Sequence, residues 1–170
     1  MEWNTKTILE HLIFEWKSSV LACSESINDC CATLKLVLKQ GSKLLLFSIG
    51  DGLLLVTSEG MHIQAPQDDT LFANQTQCLN EAVLSSDFWT AEFSLDTDVA
   101  YAVFLCTDGV ANGISDGMEL ELVREIEAAV PPEKLKSELE DLITDISDYS
   151  FDDRTIGVVK YERKNGKSQR

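Results

Sequence analysis

The sequence is poor in basic residues and contains no long apolar run. It has 14 Lys and Arg against 29 Asp and Glu in 170 residues, which gives a net charge of −15. Such a charge repels the phosphates of nucleic acids and of anionic membrane surfaces, and argues against both as binding partners. The longest apolar runs are too short to span a bilayer. Charged residues at positions 2, 6 and 10 interrupt any signal-peptide pattern. We therefore expect a cytoplasmic protein with no nucleic-acid or membrane partner.

Cysteine occurs in an odd number and without the spacing of a zinc site. The five cysteines are Cys23, Cys30, Cys31, Cys78 and Cys106, and no two of them form a C-x-x-C pair. We expect most of them to be small buried residues of a protein from a reducing compartment.

The sequence also lacks internal repeats and any linker that would divide it into two domains. With 44% hydrophobic residues, the chain can bury a substantial core. We expect a single domain over residues 1–162, followed by a basic, polar tail over residues 163–170 that is disordered.

Apolar periodicity predicts one helix, a series of strands, two further helices and a last strand. The first helix is predicted over residues 8–20. Strands are predicted over residues 31–39, 43–49, 53–57, 61–64, 89–95 and 100–106, and we expect the first four to form an antiparallel meander. Helices over residues 119–130 and 133–146, separated by two prolines, precede a strand over residues 155–161. This order predicts an α+β fold, in which an antiparallel β-sandwich is flanked by helices.

Three aspartates each lie at one end of an apolar strand. Asp51 and Asp108 follow such strands, whereas Asp152 precedes the last one. Carboxylates on such rigid supports are suited to a hard divalent cation such as Mg²⁺ or Mn²⁺. A cation of this kind lowers the pKa of a bound water. For each aspartate taken alone, an Asp-Gly turn or a strand-entry turn is the favoured interpretation, and an unrelated domain with three such turns is the alternative to a shared metal site.

Taken together, these segments resemble the metal-dependent serine/threonine protein phosphatases of type 2C. Thr107-Asp108-Gly109 after an apolar strand is similar to the family's Thr-Asp-Gly motif, and Asp152-Asp153-Arg154-Thr155 to its C-terminal Asp-x-x-Thr motif. Gly50-Asp51-Gly52 resembles Gly-Asp-Ser, and Ala32-Thr33-Leu34 resembles the Gly-Thr-Thr-Leu strand opening. The resemblance implies that Asp108 and Asp152 are metal ligands, and that Asp51 lies near a weaker accessory metal position.

The sequence departs from that family in ways that bear on activity. The family's N-terminal Asp-Gly motifs, which bridge two metals, and its phosphate-binding basic residue have no counterpart in these residues. We therefore expect a phosphatase-like domain that is inactive or incomplete as this chain, with Mg²⁺ or Mn²⁺ bound weakly or not at all. Its catalytic residues cannot be assigned. If the domain is active, its substrate is a phosphoserine or phosphothreonine protein.

The alternative function is that of a pseudophosphatase, a non-enzymatic module that binds or regulates a protein partner. Absent strands would leave a sheet edge unpaired, and such an edge invites self-association or pairing with another chain.

Overall fold

The computed structural model describes residues 4–23, 26–27, 30–66, 77–96, 99–131, 133–146 and 152–162. In chain order these residues form α1 (Thr5–Cys23), β1 (Leu34–Gln40), β2 (Lys43–Ile49), β3 (Leu53–Ser58), β4 (Met61–Gln64), β5 (Trp89–Ser94), β6 (Tyr101–Cys106), α2 (Asp108–Ala111), α3 (Glu119–Ala129), α4 (Leu135–Ile146) and β7 (Ile156–Tyr161). All strand pairs are antiparallel, and the expected α+β class is confirmed. The tail over residues 163–170 lies outside the described residues.

The chain divides into two compact units. The first comprises residues 1–51 and 66–94, and the second comprises residues 52–65 and 95–170. In their described parts, the first unit carries α1 and a sheet of order β1-β2-β5, and the second carries α2, α3, α4 and a sheet of order β4-β3-β6-β7. The single domain expected over residues 1–162 stays a prediction.

The first unit is held together by one apolar cluster between α1 and its sheet. Leu9 and Ile13 of α1 are buried against Leu45 and Phe47 of β2. The alternating leucines of β1 pack against the same cluster, as the sequence pattern predicts. They are Leu34, Leu36 and Leu38. Burial of these side chains, at roughly 25 cal/mol per Å² of apolar surface, is what docks α1 on the sheet.

The second unit is organised around β6, which pairs with β3 on one side and with β7 on the other. Every residue of β6 except Leu105 is buried, as expected for a central strand. Phe104 of β6 and Leu55 of β3 pack with Val123 and Ile126 of α3. The last strand therefore returns past two helices to complete the sheet, as predicted.

The predicted meander over the first four strands is wrong. β2 pairs with β1 and β5 in the first unit, whereas β3 pairs with β4 and β6 in the second. The chain changes sheets at Gly50-Asp51-Gly52, where the glycines have φ of +83° and +98°. Most side chains resist such angles, but glycine adopts them at little cost. A Cβ at Gly52 would also lie 2.4 Å from the carbonyl oxygen of Cys106.

The expectation of reduced, mostly buried cysteines is also wrong. Cys31 and Cys78 form a disulfide, with their Cα atoms 5.8 Å apart. An isolated antiparallel bridge between the next residue along each segment, Ala32 and Leu79, brings the two cysteines together. Of the remaining cysteines, Cys106 is buried, whereas Cys23 is exposed.

Candidate functional site

The end of β6 and the start of β7 are joined through one threonine. The backbone N–H of Thr107 donates to the carbonyl oxygen of Thr155 at 3.1 Å. The Thr107 hydroxyl donates to the carbonyl oxygen of Asp153 at 2.9 Å and accepts from the N–H of Thr155 at 3.0 Å. These three hydrogen bonds hold the Asp108 and Asp152 segments side by side at one end of the second sheet.

Gly109 allows the two segments to approach closely. A Cβ at this buried position would lie 2.6 Å from the carbonyl oxygen of Asp153 and 3.0 Å from the Cβ of Asp152. Since real side chains do not tolerate such distances, only glycine fits. The Asp108 carboxylate accepts a hydrogen bond from the Gly109 N–H at 2.9 Å. It is half-buried, and Asp152 is exposed. Two of the three aspartates singled out in the sequence therefore lie at the same sheet end.

Asp51 belongs to the first unit, where it follows the end of β2 and is exposed. The preceding residue, Gly50, packs against Thr33, to which a Cβ would come within 2.4 Å. The carbonyl oxygen of Gly50 accepts a hydrogen bond from the ammonium of Lys35 on β1. A positive charge is thus built into the same turn as Asp51.

Two further polar groups of this region were not predicted from the sequence. One is the Thr107 hydroxyl, whose linking role depends on the pairing of β6 with β7. The other is Arg154, whose Nη1 atom is buried and makes no hydrogen bond to the described residues. A buried donor of this kind is unusual, and it marks a position where an anionic or carbonyl group would be stabilised. Neither role has a local sequence signal.

The oxygen ligands that this region offers can be compared with those that a divalent cation requires. Hard cations of this type take six or more oxygen ligands, some of which are waters. Asp108 and Asp152 supply carboxylates at one sheet end. The described part of the chain contains no group of three or more His, Cys, Asp or Glu residues placed to hold a metal. Among the described residues, the two carboxylates at this sheet end are therefore fewer than the ligands that a divalent cation takes, and the predicted metal site stays a prediction.

Comparison with solved structures places this fold among bacterial serine/threonine phosphatases. The catalytic domain of PstP, solved with two manganese ions, matches with a TM-score of 0.55 at 20% identity, over 75% of this chain and 57% of that one. The S. agalactiae serine/threonine phosphatase gives 0.56 at 16% identity, over 76% and 58%. The phosphatase domain of SpoIIE from Bacillus subtilis gives 0.50 at 15% identity, over 95% and 75%. At these identities the likeness establishes the fold.

The family itself follows from the sequence. The family model described as protein phosphatase 2C matches residues 2–144, and the chain belongs to that family. The resemblance inferred from the motifs is thereby confirmed, and the alternative of an unrelated domain is wrong. A comparison with curated proteins gave no match. The chain spans less than two thirds of the length of the PstP and S. agalactiae structures.

None of the described helices is long and apolar enough to cross a bilayer. The cytoplasmic location expected from the sequence stays a prediction.

Proposed function

We propose that this chain supplies part of a metal-dependent phosphatase site and does not hydrolyse phosphoserine or phosphothreonine unaided. The observation that carries the proposal is the Thr107 link, which sets Asp108 and Asp152 at one end of the second sheet. The family membership supports phosphoester chemistry as the function to which such a pair of carboxylates would contribute.

The proposed metal ligands are Asp108 and Asp152, with Asp51 as a candidate accessory ligand. A bound Mn²⁺ or Mg²⁺ would supply a water of lowered pKa and would neutralise charge on a phosphate. The protein's own part is to position the ligands. Thr107 and Gly109 keep the two loops together, and the Gly109 N–H orients the Asp108 carboxylate. The PstP structure holds two manganese ions, so activity of that kind would need further ligands from other polypeptide segments.

The test combines Mn²⁺ binding with turnover of a phosphothreonine peptide by the full chain. We expect Mn²⁺ to bind with a dissociation constant on the order of 0.1–1 mM, the weak end of carboxylate sites, measured by electron paramagnetic resonance of the free ion. Asp108→Asn and Asp152→Asn should each weaken binding about tenfold, because each removes one of the few charged ligands. Asp96→Asn removes an exposed carboxylate from the same unit and should have no effect.

In the same preparation we expect no Mn²⁺-dependent turnover. Turnover that Asp108→Asn abolishes would show that the residues present suffice, and would overturn the proposed incompleteness. Unchanged Mn²⁺ binding in both Asn variants would overturn the proposed ligand pair.

The second candidate is a non-enzymatic pseudophosphatase that acts as a binding or regulatory module. It is favoured by the lack of a three-ligand group among the described residues and by the Lys35 ammonium bound in the Asp51 turn. A complementation experiment distinguishes the two candidate functions. Adding a segment that bears the family's N-terminal Asp-Gly motifs should restore Mn²⁺-dependent turnover if the chain is part of an enzyme. Reconstitution without activity would favour the binding module.

A further inference from the structure

An apolar groove runs between α3 and α4 in the second unit, and it involves none of the residues of the candidate metal site. The groove has a volume of about 230 Å³. Its floor is formed by five apolar side chains. They are Leu122 and Ile126 of α3, Val130 directly after α3, and Leu139 and Leu142 of α4. All of the described residues that line the groove belong to the second unit.

Part of the floor remains exposed to solvent, because the two helices bury only some of their apolar side chains against the sheet. α3 turns Val123 and Ile126 fully into the core, where they contact β3 and β6. Leu122, Leu139 and Leu142 reach the same cluster but are only partly buried. They therefore retain apolar surface that a partner could remove from water, at roughly 25 cal/mol per Å².

Four carboxylates surround this floor. Glu125, Glu138, Asp141 and Asp145 all line the groove, and all are exposed. None of them forms an ion pair with a residue that the structure describes.

Three basic side chains near the two helices have contacts of their own. Arg124 donates to the carbonyl oxygen of Gly60 at 3.3 Å, and Lys136 pairs with Glu140 at 3.6 Å. The side chain of Lys160 is buried, donates to the carbonyl oxygen of Val130, which lines the groove, and pairs with Glu162 at 3.1 Å. The groove thus presents concentrated negative charge around an apolar floor.

The volume and the charge of the groove indicate which kind of partner it can bind. Small-molecule sites in proteins enclose about 300–1,000 Å³, so 230 Å³ between exposed rims suits a few anchoring side chains better than a buried small ligand. A second copy of this chain carries its own charge of −15 and would be repelled. The complementary surface is apolar along one line and basic on both sides of it.

We propose that this groove binds a basic amphipathic helix of another protein. Apolar residues of that helix at positions i, i+3 or i+4, and i+7 fill the floor, as in other helix-in-groove complexes. Lys and Arg on either side of that stripe meet the four rim carboxylates. The interaction is independent of metal chemistry at Asp108 and Asp152, so it holds whether or not the chain takes part in phosphate hydrolysis.

The test starts with selection of helical peptides from a displayed library on the full chain. We expect the enriched peptides to share apolar residues at the stated spacing, flanked by Lys or Arg. The selected peptide is then titrated into the ¹⁵N-labelled chain, where the amide shifts should map to α3 and α4.

Charge-reversed rim variants then show whether the groove carries the binding. The double variant Glu138→Lys/Asp141→Lys should weaken the selected peptide at least tenfold. These side chains are exposed, so the fold should persist, which the dispersion of the amide spectrum checks. Asp116→Lys/Glu121→Lys is the matched control, because it changes the net charge by the same amount at two exposed residues that do not line the groove. It should weaken binding less than twofold.

Four outcomes would overturn the proposal. They are no enrichment of any helical peptide, enriched peptides without basic residues, shifts that map away from α3 and α4, and equal weakening by the rim and control variants. The last would mean that net charge alone attracts the peptide.

Discussion

Thr107 uses a single hydroxyl both as donor and as acceptor between the end of β6 and the segment that leads into β7. The donor bond is to the carbonyl oxygen of Asp153, and the acceptor bond is from the N–H of Thr155. Valine has nearly the same shape but can make neither bond. Serine retains the hydroxyl and can make both.

We expect Thr107→Val to lower the free energy of unfolding by about 0.5–1.5 kcal/mol, the usual net contribution of a hydrogen bond, because the backbone groups of Asp153 and Thr155 that lose their partner are exposed and can bind water. The same variant should weaken Mn²⁺ binding, because the Asp152 segment is no longer held beside Asp108. Thr107→Ser should remain close to the parent in both respects. Urea denaturation followed by circular dichroism measures the first effect. Equal stability of the Val and Ser variants would contradict the linking role.

The fold perturbs the ionisation of Tyr101. Its ring stacks on Tyr161 across the β6–β7 pair, with centroids 5.4 Å apart. Burial, and secondarily the neighbouring Tyr161, raise the pKa of Tyr101 above its usual 10.0. The folded state therefore keeps a proton that the unfolded state loses first as the pH rises.

The raised pKa of Tyr101 therefore contributes to the free energy of unfolding below about pH 10, and this contribution is lost as the pH rises through the pKa that Tyr101 has in the folded state. The free energy of unfolding of the parent chain should fall more steeply above pH 10 than that of Tyr101→Phe, which cannot ionise. Denaturation curves between pH 8 and pH 11 compare the two slopes. Parallel curves would show that Tyr101 is not the group responsible.

At the scale of elements, the disulfide connects the segment before β1 to the segment before β5. Cys31 and Cys78 are 47 residues apart in sequence, and the enclosed loop contains β1 to β4. Closing a loop of this length restricts the unfolded chain, which in the chain-entropy account stabilises the fold by about 4 kcal/mol.

We expect Cys31→Ser/Cys78→Ser to lose up to about 4 kcal/mol of stability by that account. Addition of a reductant to the parent chain should give a similar loss. Cys23→Ser changes an exposed thiol that forms no disulfide, and it serves as the control. Thermal melts with and without reductant make the comparison. A parent chain whose melting temperature does not respond to reductant would argue that the bridge contributes nothing.

At the scale of the whole molecule, the net charge opposes association of copies of the chain, whereas an unpaired sheet edge favours it. In the described part of the chain, β7 pairs only with β6, so its other edge has no partner strand. Val159 on β7 is 56% exposed, an apolar group at that edge. The net charge of −15 opposes association of copies. Salt screens such repulsion, with a Debye length of about 30 Å at 0.01 M and about 8 Å at 0.15 M.

If copies pair through β7, the dimer fraction should therefore increase with salt, and Val159→Lys should reduce it, because a charge at an edge disfavours strand pairing. Sedimentation velocity across protein and salt concentrations measures both effects. A monomer under all conditions would rule out the self-association expected from the sequence.

Local pattern was sufficient for much of this protein. The helices at residues 5–23, 119–129 and 135–146 and all seven strands lie where apolar periodicity places them, to within three residues at each end. Periodicity records which side chains face a core, and that information is contained in neighbouring residues. The Thr-Asp-Gly and Asp-x-x-Thr motifs are equally local, which is why the amino-acid sequence alone was enough to indicate the family.

Only the tertiary structure decided which distant segments meet. The bridge between Cys31 and Cys78 and the Thr107 link join residues more than 40 positions apart in sequence. The assignment of β2 and β3 to different sheets was also decided by tertiary packing, although only three residues separate the two strands. A strand that is buried on both faces, such as β2, carries no alternation that would show its partners. Because pairing depends on contacts across the whole fold, the sequence determined the elements and the family, and the three-dimensional packing determined the site and the surfaces around it.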